Sequence, residues 1–246
     1  MLTTLRRRLA GFGPLKALGL TALDVAGLVV TALGPRVTGP VVLGIGAPVV
    51  AAVGEAAAAP AMAQTAPRLG TLRFPNSGRP AAQTPFVRGV LLLHSFEYRT
   101  ALAAFREAQQ ADPGFALAYW GEAMTWSHPL WDEQWPDSAR AALRRLGPTP
   151  EARRVRARTA RERGYLDAVE LLYGEGSKPR RDTLYAKAMA RLVAAYPKDD
   201  EARAFHALAL MGLSQGVRNV PTYMRAGATA LELFHRLPDH PGAAHY

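Results

Sequence analysis

The stretch AQTPFVRGVLLLHSFEYRTALAAFREAQQADPGF, residues 82–115, decides the fold. Apolar residues recur three and four apart through Phe86, Val90 and Leu93, then again through Ala101, Leu102, Phe105 and Ala108. That period puts each set on one side of a helix. Ser95-Phe96 separates the two runs, and Asp112-Pro113-Gly114 stops the second, because proline cannot continue a helix. The stretch therefore reads as two helices folded back on each other. Small Gly89 and Ala101 let them approach closely, Phe105 fills the gap to the next pair, and Ala108 admits the following helix.

Working outward, the same punctuation returns. A third helix begins at Phe115, and shorter helical runs cover Ser138–Leu146, Thr183–Tyr196, Asp200–Leu213 and Thr222–Leu237. Thr149-Pro150-Glu151 opens a helix expected to reach about Tyr173, with Thr149 as cap and Pro150 in its first turn. Endings like Asp112-Pro113-Gly114 recur at Pro197 and at Asp239-His240-Pro241-Gly242. No run sustains strand alternation, so the expected fold class is all-α, built from α-α hairpins over residues 86–246. Residues 136–164 carry a basic run, among them Arg140, Arg144, Arg145, Arg153, Arg154, Arg158 and Arg161. It contains no interleaved aromatic residue, and it reads as solvated helix surface without a nucleic-acid partner.

Gly89, Ala101, Phe105, Ala108 and Pro113 stand at positions 8, 20, 24, 27 and 32 of a 34-residue unit, and in this the chain resembles a tetratricopeptide repeat. Tyr119, Ala123 and Trp126 match a second, degenerate unit, which His128-Pro129-Leu130-Trp131 interrupts. The segments Leu92–His94, Ala118–Met124, His128–Trp131 and Asp239–Tyr246 are similar to those of exported bacterial tetratricopeptide-like proteins. The resemblance runs from about Thr71 to the last residue. It implies a solenoid, and it implies that this chain is the N-terminal part of a longer one. It implies no particular activity.

Residues 1–63 are of another kind. Arg6, Arg7 and Arg8 precede a long Ala-, Val-, Leu- and Gly-rich stretch that ends Ala61-Met62-Ala63. A basic start, an apolar body and an A-x-A end describe an export signal cut after Ala63. The stretch is longer than the usual apolar region, so an uncleaved inner-membrane anchor and an early start with the true signal in 41–63 stay open. Residues 64–85 read as an extended linker without a core of its own. The expected location is periplasmic or secreted, with membrane contact only through the first segment if it is retained.

The chain has 246 residues, a net charge of +10 and no cysteine. The last fact excludes disulfides, thiolate metal sites and cysteine nucleophiles. No nucleophile elbow, P-loop, dinucleotide fingerprint or His-Glu-x-x-His is present, so a binding protein is expected in preference to an enzyme. Two candidate sites remain. His94 and His128 lie one repeat length apart, at the same position of successive first helices. Stacking could aim both into one space, with Glu122, His240 and His245 as further ligands for a divalent transition metal. The plainer reading has both histidines bonding free carbonyls at helix ends, with no cofactor. The other site is an aromatic groove for a peptide or protein partner, lined by Phe86, Val90, Trp120, Met124 and Trp131. Its alternative is a core packed around the insertion 127–136.

Overall fold

A computed structural model of the chain describes residues 68–214 and 219–246. The segment read as signal or anchor, 1–63, lies outside the described residues. Among those described, no helix is long and apolar enough to cross a membrane.

Helices α1 (Pro80–His94) and α2 (Tyr98–Ala111) form the hairpin expected from residues 82–115 and pack on each other. Helix α3 (Ala116–Met124) packs on α2. The edge of the Phe105 ring is wedged between α1 and α3 at two glycines. A Cβ placed on Gly89 would lie 2.8 Å from the ring, and one on Gly121 only 2.3 Å. Gly89 is therefore small because the Phe105 ring of the facing helix lies against it, and Gly121 supplies a second, tighter contact.

The insertion after α3 is a two-stranded antiparallel ribbon, β1 (Ser127–His128) and β2 (Glu133–Gln134), around a 3-10 turn at Pro129–Trp131. Helix α4 (Pro136–Leu146) then returns onto α3. The helix expected from Thr149 to about Tyr173 is two helices, α5 (Pro150–Arg154) and α6 (Ala160–Leu172). Thr159 starts the second with a capping box: its hydroxyl accepts from the Glu162 amide, and the Glu162 carboxylate accepts from the Thr159 amide. Helices α7 (Lys178–Ala195), α8 (Asp200–Gly212), α9 (Val220–Arg236) and the short α10 (Pro241–His245) follow. From α6 to α10 each helix packs on its successor; α3 also meets α6, and α10 meets α1. The architecture is all-α, and its packed neighbours are compatible with a helical repeat.

The linker reading needs correction over its described part. Helix α1 starts at Pro80, inside it, and the preceding segment is built into the fold. Phe74 is buried against Phe86, Trp120 and Tyr165, with ring centroids 5.0–5.6 Å apart. The Ser77 amide and hydroxyl both donate to Glu162, and the Arg79 amide donates to Asp112. The Thr71 amide donates to the Asp239 carbonyl. This strap's internal hydrogen bonds are local ones made by Asn76, and its tertiary contacts are not revealed by its composition.

The basic run is also less free than expected. Arg153 is buried and grips Glu170 with two nitrogens (2.5 and 2.7 Å). Arg161 holds Asp199 the same way (2.6 and 2.8 Å) and lies over the Phe74 ring.

Candidate functional site

Three polar side chains meet in a space closed to solvent: His94, Glu201 and His240. His94 is the last residue of α1, Glu201 lies in the first turn of α8, and His240 caps α10. The Ala243 amide donates to His240 Nδ1 (3.2 Å), so in the neutral ring the proton sits on Nε2. From there it is donated to Glu201 Oε1, 2.9 Å away. The other carboxylate oxygen, Oε2, accepts from His94 Nε2 at 2.8 Å. The Tyr246 hydroxyl closes the chain by donating to His94 Nδ1 at 2.7 Å. Phe205, one turn beyond Glu201, stacks on the His94 ring with centroids 4.6 Å apart.

Gly242 makes this closure possible. A Cβ there would stand 2.6 Å from His94 Nδ1. Every polar atom of the three side chains has a partner, the condition for burying such groups at tolerable cost.

The electrostatics follow from the contacts. Burial pushes the His94 imidazole below its usual 6.5, and the Glu201 partner only partly opposes this. Burial works the other way on Glu201, but the two imidazoles outweigh it and hold the carboxyl at about 2. Burial also lifts the Tyr246 hydroxyl well above 10, so it stays a donor. At neutral pH the group holds an ionised carboxylate beside the uncharged His94 ring.

No protein-family model, curated protein or solved structure matches this chain.

Of the metal ligands expected from the sequence, His94 and His240 are brought together. His245 comes close but turns away; its Nδ1 donates to the His94 carbonyl (3.0 Å), and its side chain lies at the surface. Glu122 belongs to another buried group. It accepts from Arg106 (2.9 Å), Gln109 (2.6 Å) and Arg145. His128 also departs from the expected convergence. Helix α3 ends at Met124, so the position that falls on a helix in α1 falls in β1 here. His128 stacks on Tyr98, 3.6 Å between centroids, and its Nε2 donates to the Thr125 carbonyl.

The expected groove is not open either. Phe86, Val90 and Trp120 are fully buried and Met124 nearly so, because the strap carrying Phe74 lies against Phe86 and Trp120. Only Trp131 of that set is exposed, at 55%. The space between Leu93, Tyr98, Met124, Tyr185 and Phe205 measures about 30 Å³. That is room for a water, far below the several hundred Å³ an organic ligand needs.

Glu201 is the site residue the sequence reading passed over. Asp199-Asp200-Glu201 reads as an acidic helix start that complements the dipole. Asp199 does cap the helix, accepting from the Ala202 amide. But Glu201 stands four residues before Phe205 and so lies on the buried stripe with Phe205, Leu208 and Ala209. A carboxylate in line with an apolar stripe was the available signal.

Proposed function

We propose that the chain is a tetratricopeptide-like scaffold that holds protein or peptide partners outside the cytoplasm. The observation that carries this reading is the outer face of α9. Val220, Met224, Leu231 and Phe234 are all exposed, by 41–68%, and their spacing sets them on one stripe. Gly227 falls on the same stripe, and a Cβ there would meet nothing within 4 Å. The opposite face of α9, with Ala226, Ala230 and Leu233, is buried. Large contiguous apolar patches are rare on proteins without partners. A stripe at i, i+4 and i+7 spacing fits the apolar face of a second helix.

A photo-crosslinking amino acid at position 231, used in cells, tests the face. A crosslinked species is expected that vanishes when Met224→Glu and Phe234→Glu are added and persists with Trp131→Ala. No species, or one indifferent to the glutamates, would remove the proposal. Export is supported by Arg6–Arg8, the apolar stretch that follows and Ala61-Met62-Ala63. The protein recovered from the periplasm is expected to begin at Gln64. Recovery of an intact N-terminus from the cytoplasm would reject that part.

A further inference from the structure

We propose that His94, Glu201 and His240 form a binding site for one divalent transition ion of the zinc or cobalt class. Burying a carboxylate among imidazoles is seldom more favourable than filling the same space with apolar side chains. Yet three chain segments converge here: the end of α1, the start of α8 and the cap of α10. Two imidazole nitrogens and one carboxylate are a donor set that suits zinc and leaves a fourth position open.

The geometry is close to what an ion requires. One donor atom from each residue lies within 4.8 Å of the other two. The two Nε2 atoms point at opposite oxygens of one carboxylate, at 2.8 and 2.9 Å. Ligand bonds of about 2.0–2.1 Å in a tetrahedron separate neighbouring donors by about 3.3 Å. Each ring must draw back from its oxygen by about half an ångström, and donors now up to 4.8 Å apart must close toward that spacing.

Proton positions also permit the exchange. An ion on Nε2 requires the ring proton on Nδ1. At His94 the Tyr246 oxygen, 2.7 Å from Nδ1, reverses its role and accepts. Such an outer partner orients a metal-bound imidazole. At His240 a proton on Nδ1 would face the Ala243 N–H, 3.2 Å away, so this ring must turn off the amide to take an ion. That amide already lies 3.1 Å from the His240 carbonyl and keeps a partner. No proton needs to leave any of the three side chains. A surface cleft lined by Thr71, Ser95, Asp239, His240 and His245 offers the approach.

The test uses the full chain, stripped with a chelator and titrated with Co²⁺ and then Zn²⁺. One Co²⁺ per chain is expected, with the intense visible bands of a tetrahedral ion, displaced by Zn²⁺. Glu201→Gln keeps a hydrogen-bonding side chain, and His240→Asn keeps a helix cap. Each should weaken Co²⁺ binding by more than about 100-fold, the upper end of what losing an outer partner costs. His128→Ala should leave it unchanged. Wild-type protein that takes up no Co²⁺ or Zn²⁺ at 0.1 mM overturns the proposal without recourse to any variant. So does binding that survives in both Glu201→Gln and His240→Asn, since the ion would then sit elsewhere.

Discussion

Replacing Glu201 by alanine is expected to cost the metal-free protein about 3–5 kcal/mol, from stranded hydrogen-bond donors and a new cavity. The loss has three parts. The Nε2–H groups of His94 and His240 lose their acceptor in a space closed to solvent. Each stranded donor costs about 1–3 kcal/mol. A cavity also opens beside Phe205. Urea denaturation at pH 7.5 measures the sum, and a loss under 1 kcal/mol would mean that the cluster does not hold the fold.

The same residues set the response to acid. His94 is held below 6.5 in the folded chain, so the folded state binds fewer protons than the unfolded one. Its contribution is complete above pH 6.5 and fades as the pH falls below that. Glu201 behaves likewise in a lower window. Its carboxyl titrates at about 2 when folded and near 4.5 when free, so its contribution is lost between those values. A shift of that size corresponds to roughly 3 kcal/mol. Wild-type protein should weaken in two stages on acidification, and Glu201→Ala should abolish the lower one.

The second large effect concerns two glycines with opposite outcomes. Glycine to alanine inside a helix ordinarily gains about 1 kcal/mol. At Gly227 of α9, where a Cβ meets open space, that gain is expected in full. At Gly121 of α3 the sign reverses. The new Cβ would lie 2.3 Å from the Phe105 ring, whose same edge would stand 2.8 Å from a Cβ on Gly89. The ring has no free side to move into, since Phe105 is fully buried.

Overpacking of this kind costs about 1–3 kcal/mol, and Gly121→Val should reach the top of the range. Shortening the ring relieves it. Phe105→Leu combined with Gly121→Ala should lose at least about 1 kcal/mol less than the two single changes added together. Strict additivity in thermal or urea unfolding would show that the glycine and the ring do not meet.

The helices were legible because each is written locally. The three- and four-residue period around Phe86, Phe105 and Phe205 and the proline endings at Pro113 and Pro197 need only neighbouring residues to be read. The break at Thr159 was legible too, in the Thr-x-x-Glu capping box, but the longer apolar period through it hid the signal. The reading failed where repeat arithmetic stood in for contact. His94 and His128 share a repeat position, but α3 stops after Met124, and the equivalence ends there.

The amino-acid sequence by itself determined that the described residues are mostly helical, and it marked several helix ends, such as those before Pro113 and Pro197. Tertiary structure alone decided that His94 finds Glu201, 107 positions away, and Tyr246, 152 away, and that Phe74 closes the core. The reason is the range of the forces. Backbone hydrogen bonds in a helix join residues four apart and leave a periodic trace. A buried imidazole is partnered by whatever the packing of distant helices delivers, and no period records it.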